Sequence, residues 1–333
     1  MAGRGRRPWL LLVMALVVLA GAFTMSIAWG PVRLSYGQVW QAIFRPQEAP
    51  ALARTIVWNI RLPRTLVGAL VGAGLALSGA ILQGVMRNPL ADPHIIGVSA
   101  GAGLAAVATM NFFPDAPAQA IPAFAFLGAL AGAAIVYLLA WRGGVSPLRM
   151  VLAGVAVSSL LSAGTSTVLV MFSENVQATM TWLVGGLAGR SWNHWHRLWP
   201  YIGGAAAVAL ALARHLNVLL LGDEVAAGLG VQVERTRLAL IALAAILAGA
   251  AVSVAGLIGF IGLIVPHIVR LLIGSDHRFL LPASGLLGAA LLLAADTAAR
   301  LVLDPIEIPV GILTTAMGAP FFLYLLRRGR APR

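Results

Sequence analysis

The chain contains no cysteine and no lysine, and only 10% of its 333 residues are charged. Without cysteine there are no disulfides, no thiolate-held zinc or iron–sulfur cluster and no cysteine nucleophile. Without lysine, no Walker A loop can reach the β- and γ-phosphates of a nucleotide, and Schiff-base chemistry has no amine to use. The polypeptide is therefore not expected to hydrolyse ATP itself. All 23 basic residues are arginine, set against 11 acids, for a formal charge of +12. Such a charge suits nucleic acid when it gathers on one face. Here the arginines stand singly between apolar runs, and no nucleic-acid partner is expected.

What the chain does have is apolar length. Hydrophobic residues make up 60% of it, and its mean hydropathy is +0.91. A water-soluble domain of this composition would expose large apolar patches. A bilayer core of about 30 Å needs about 20 apolar residues per helix. Candidate spans lie at 9–29, 64–85, 94–110, 120–141, 149–172, 198–213, 236–258, 262–274, 280–300 and 308–326, the third and eighth being short. The first follows Arg4, Arg6 and Arg7 and runs to Trp29 without a small-residue cleavage site, so it reads as a retained helix rather than a signal peptide. The expectation is one all-α polytopic membrane domain over 1–333, with cytoplasmic tails at 1–8 and 327–333.

Ten spans put both ends on one side. With that side cytoplasmic, inner loops and tails hold 15 arginines and outer loops eight, which agrees with the positive-inside rule. Gly68/Gly72, Gly97/Gly101 and Gly128/Gly132 are small-xxx-small pairs that let helix backbones approach. Asp296 is an acid within an apolar run, which marks a functional candidate. Arg300 stands four residues on, on the same helical face, so a local ion pair that orients Arg300 is expected. Pro266, His267 and Arg270 interrupt the eighth span, and His267 is assigned to the inner interface rather than to a metal.

Two tempting motifs are declined. Gly97-Val98-Ser99-Ala100-Gly101 matches G-x-S-x-G, yet it opens an apolar helix where a nucleophile elbow needs a strand–turn–helix. His194 and His196 lie two apart within a run containing Trp192, Trp195 and Trp199. Residues so spaced do not share a helix face, and the tryptophans read as an interfacial belt.

Six ordered stretches carry a resemblance: RLPRTLVGALVGAGLALSGAILQGVMRNPLADPHIIGVSAGAG at 61–103, LLLGDEVAAGLGVQVERTR at 219–237, GFIGLIVPHIVRLL at 259–272, DHRFLLPASGLLGA at 276–289, ADTAARL at 295–301 and EIPVGILTTAMGAPFFLYLL at 307–326. Together they are similar to the permease subunits of the FecCD family, ABC importers for iron–siderophores, haem and vitamin B12. The resemblance implies a type II importer permease in the bacterial inner membrane. It would act as a homodimer, with two ATPase subunits that hold ATP and magnesium and a periplasmic binding protein that delivers substrate. It also implies that Arg61, Arg64 and Arg300 receive glutamates of that binding protein. Gly222, Asp223, Glu224, Ala226, Ala227, Gly228 and Gly230 would belong to the coupling segment within 214–237 that meets the ATPase.

Asn88 and Leu90 would line a cytoplasmic gate with Pro147 and Leu148, although the B12 branch has small hydroxylated residues at the latter pair. Overall likeness around Thr181–Trp192 favours a ferric siderophore, then haem, then cobalamin. The competing reading from another class is an ion-coupled secondary transporter built on Asp296. A membrane hydrolase would rest on Ser99 alone.

Overall fold

A computed structural model describes residues 6–327, so most of the two expected tails lies outside the described residues. The regular structure of the described residues is helical apart from one isolated bridge between Trp141 and Val145. In order the helices are α1 (Arg6–Ala28), α2 (Tyr36–Phe44), α3 (Ala51–Thr55), α4 (Leu62–Val85), α5 (Val98–Phe112), α6 (Ala120–Ala140), α7 (Pro147–Met171) and α8 (Val176–Val184). There follow α9 (Trp192–Ala211), α10 (Ala213–Leu219), α11 (Asp223–Gly228), α12 (Val233–Ala255), α13 (Ile261–Ile273), α14 (His277–Leu301) and α15 (Val310–Arg327). A π-turn over Ile56–Arg61 joins α3 to α4 without a break.

Each of the ten expected spans falls on a helix. Six single helices are long and apolar enough to cross a membrane, and α9 with α10 forms a seventh unit bent by 55°. The apolar helices α5, α13 and α15 are shorter. Sequence reading placed the start of the sixth span at 198; the helix begins at Trp192, where Ser191 caps it in a reciprocal box with His194. It also gave no helix to 36–44, 51–61 or 176–184, because these outer pieces are too short to produce a spanning signal.

Local signals explain the breaks. Pro93 and Pro147 each sit in a first helical turn, where the missing N–H costs nothing. Ser146 caps α7 by accepting the Arg149 N–H, and Asp276 caps α14 by accepting that of Arg278. Gly256, at φ 72°, ends α12.

The centre is built from α4, α12 and α14. In the apolar window of Ala51–Val85, 78% of residues are buried, against 17% in Pro147–Met171. Thus α7 is peripheral, and Leu148, Leu152, Val155 and Leu160 stand exposed along it. One core cluster runs through the bundle from Leu11 to Val310. A second, around Ile27, Val39, Ala42 and Val57, seals α2 and the π-turn onto the end of α1.

The glycine pairs serve the packing. A Cβ on Gly72 would overlap the Gly288 carbonyl of α14, one on Gly101 that of Gly128 on α6, and one on Gly79 that of Gly262 on α13. Replacing Gly79 by alanine is expected to destabilise the bundle by about 1–3 kcal/mol through overpacking. Thermal unfolding of the purified protein in detergent checks this, with Gly186→Ala, which meets nothing within 4 Å, as the neutral control.

Candidate functional site: charged clusters at the two ends of the bundle

At the outer end, Asp296 on α14 is buried between two guanidiniums. Arg64, at the start of α4, donates from Nε to Oδ2 at 3.1 Å and from Nη2 to Oδ1 at 2.9 Å. Arg300 pairs through Nε with Oδ2 at 3.2 Å. The expected Asp296–Arg300 pair is therefore present, but it is the lesser part. Arg64, 232 positions away in sequence, takes both carboxylate oxygens in the bidentate geometry that arginine favours. Arg64 also donates from Nη1 to Glu307 Oε2 at 2.9 Å, which ties in the segment before α15.

The other arginines hold α1. The last carbonyls of a helix lack partners and carry partial negative charge. Arg61 Nη1 donates to the carbonyls of Ile27 at 2.7 Å and Ala28 at 2.8 Å, and its Nη2 to that of Val32. Arg300 donates to the carbonyls of Ser26 at 3.1 Å and Trp29 at 3.2 Å. Hence Arg61, Arg64 and Arg300, read from the resemblance as docking points, are all buried and bonded within the chain. None presents a free guanidinium. The accessible acid of the cluster is Glu307, whose side chain is 35% exposed.

At the inner end, Asp223 is again one carboxylate between two arginines. Arg237 on α12 donates from Nη2 to both its oxygens at 2.9 Å. Arg87, just past α4, pairs with Oδ1 and also donates from Nε to the Leu219 carbonyl at 3.0 Å. Arg237 Nη1 continues to Glu234 at 2.5 Å and to the Val145 carbonyl at 3.2 Å. The network so joins α11, the inner ends of α4 and α12, and the turn that precedes Pro147 and Leu148. Partial burial opposes charge on Asp223, but the hydrogen bonds and charges of Arg237 and Arg87 outweigh it and hold its carboxyl below the ordinary range.

Gly222 and Gly230 take φ of 110° and 82° and bracket α11 as a six-residue helix. Ala226 is buried beneath it, while Glu224, Ala227 and Gly228 face outward. Asn88 folds its own turn, its Oδ1 accepting the Leu90 N–H at 2.9 Å. Pro147 opens α7 and Leu148 is 68% exposed. His267 is buried, edge-on to Phe321 at 6.4 Å. Ser99 is buried in the first turn of α5. His194 and His196 bond locally, to Ser191 and to the Trp192 carbonyl, and no third metal-ligating side chain joins them among the described residues.

A bundle of about ten spans, with a short helix lashed to its inner face, is the architecture of a transport permease of the ATP-binding-cassette importers. The chain belongs to the FecCD transport family, whose model matches residues 16–328. It is 48% identical to the cobalamin import system permease protein BtuC of Halobacterium salinarum, over 93% of this chain and 85% of that one. It is 42% identical to the Fe(3+)-citrate import system permease protein YfmE of Bacillus subtilis, over 97% and 96%. With the hemin transport system permease protein HmuU of Yersinia pestis the identity is 41%, over 98% of each chain. A solved metal-chelate type ABC transporter in an inward-facing conformation superposes with a TM-score of 0.85 at 33% identity, covering 95% of this chain and 98% of that one.

Two outcomes are expected from these clusters. Asp296→Ala strands two buried guanidiniums and should cost about 3–5 kcal/mol, whereas Asp223→Ala removes a half-exposed carboxylate and leaves the buried Arg237 bonded to Glu234, and should cost about 1 kcal/mol or less. Denaturation of the two variants side by side checks the ranking. Because the Asp223 carboxyl is held below its ordinary range in the fold, its contribution is complete at neutral pH and is lost only as pH falls through that lowered value. An α11 contact probed by crosslinking should therefore be constant from pH 6 to 8 and loosen only in acid, below the ordinary carboxylate range.

Proposed function

We propose that the chain is the membrane subunit through which an iron chelate passes from the periplasm to the cytoplasm, working as a homodimer with two ATPase subunits and a periplasmic binding protein. ATP and magnesium belong to the ATPase. The observation that carries this reading is the Asp223 bridge. A short helix on the inner surface is fastened by one side chain to two spanning helices and, through Arg237, to the turn before Pro147. Movement of α11 by a partner would reach the inner ends of α4, α7 and α12 together. In this reading Gly222, Asp223, Glu224, Ala226, Ala227, Gly228 and Gly230 form the coupling segment, and Asn88, Leu90, Pro147 and Leu148 the gate.

Docking through Arg61, Arg64 and Arg300 takes a more specific form. Arg64 would exchange Glu307 for a carboxylate of the binding protein, while Arg61 and Arg300 keep α1 in place. Iron chelates are favoured by the extended likeness to permeases named for Fe(3+)-citrate and hemin. A cobalamin substrate is the second reading, favoured by the 48% identity to the archaeal cobalamin permease. The ion-driven alternative is the weaker one, because Asp296 is already engaged by Arg64 and Arg300.

The test is ATP-driven uptake by proteoliposomes containing the permease, its ATPase and its binding protein, offered ferric citrate, a ferric hydroxamate, haem and cobalamin in turn. Uptake of an iron chelate that stops without ATP is expected; ATP-independent uptake driven by a proton gradient would refute the reading. In the same assembly Asp223→Asn should lower substrate moved per ATP hydrolysed by about ten-fold, within the usual range of coupling energies, while hydrolysis persists. An unchanged ratio would remove Asp223 from the coupling path.

A further inference from the structure

Beside the outer cluster, a cavity of about 310 Å³ opens between α8, the loop at 185–191 and the start of α15. Its walls include Trp182, Thr181 and Met110, and three charged residues face it: Arg64, Glu307 and Arg190. Arg64 and Glu307 are already paired with each other. Arg190 is not. Its Nε is buried without a hydrogen-bond partner, and no acid among the described residues pairs with its guanidinium. Every other arginine of this outer cluster is richly bonded, so Arg190 is the exception that needs a reason: it is half-buried with its Nε shut off from water, and an unpaired cation withdrawn from water is costly. Burial and the neighbouring charge of Arg64 both disfavour its charged form, a cost that a visiting anion would relieve.

The loop is built to hold that position. Gly185 and Gly189 adopt positive φ, of 78° and 70°. The Gly186 N–H is fixed to the Ala255 carbonyl at 2.7 Å, and the Gly185 carbonyl accepts the Gly311 N–H at 3.1 Å. The loop is thus pinned to the end of α12 and the start of α15, and Arg190 is carried on a set backbone.

We propose that this cavity is an anion subsite in which Arg190 receives a carboxylate of an incoming metal chelate, with Trp182 and Met110 against its apolar part. A guanidinium offers a carboxylate two parallel N–H donors, and the cavity has room for one carboxylate arm beside Trp182 rather than for a whole protein loop. The subsite selects chelates that carry carboxylates over neutral ones. It rests on the reading of the chain as an iron-chelate permease, and it adds the substrate class.

The experiment is equilibrium dialysis of radiolabelled citrate and ferric citrate against the full-length permease in nanodiscs, with no ATPase or binding protein present. Saturable retention that weakens with added salt is expected. Arg190→Gln should reduce it by about ten-fold, as for loss of a charged hydrogen bond, and Arg190→Lys should restore part of it. Glu307→Gln should strengthen retention, since it removes the nearest negative charge and frees Arg64. Equal retention by wild type and Arg190→Gln, or no gain in Glu307→Gln, would overturn the subsite. So would an Arg190→Gln variant that weakens capture of the binding protein while citrate retention stays unchanged, because the carboxylate would then be the partner's. ATP-driven uptake in the complete assembly is scored separately, so loss of the subsite and loss of the permease reading give different results.

Discussion

One buried carboxylate organises the outer end of this molecule. Asp296 lies within a helix whose neighbours are almost all alanine and leucine, where an isolated charge would be expensive. It is tolerable because Arg64 and Arg300 converge on it from two helices. Those guanidiniums then have donors to spare. Arg300 spends its remainder on the last carbonyls of α1, and Arg64 on Glu307 ahead of α15. Four helices thus meet through one acid, and the π-turn at Ile56–Arg61 sets Arg61 where it completes the seal on α1.

The inner end repeats the arrangement in a wetter setting. Asp223 also lies between two arginines, but its side chain is half exposed where that of Asp296 is nearly dry. Water screens the inner pairs and competes for their hydrogen bonds, so the same number of contacts holds less firmly. The outer cluster is a dry fixture, and the inner one a fastening whose bonds water can exchange.

The sequence made the architecture legible because each span is a long apolar run with its own stops, so hydropathy, proline and glycine place it without knowledge of the neighbours. The brackets around α11 were legible for the same local reason, at Gly222 and Gly230. The charge network was only half readable. An acid in an apolar run announces that it needs a partner, and Arg300 was visible at helical spacing. Arg64 was not, because nothing local relates positions 64 and 296, and Arg87 and Arg237 were hidden from Asp223 in the same way. Exposure cannot be read from a string, and the internal capping of α1 by Arg61 and Arg300 emerges only in three dimensions. Arg190 is one of the eight outer arginines, and its lack of a partner leaves no trace in sequence.

The glycine seams have a mechanical meaning. Where Gly72 meets Gly288, Gly79 meets Gly262 and Gly101 meets Gly128, backbones touch with no side chain between them, and there is nothing to rotate or slide past. Such contacts act as welds. They join α4 to α13 and α14, and α5 to α6, into blocks that must travel whole. No such seam runs through the 55° elbow between α9 and α10, which is therefore the compliant joint of the bundle.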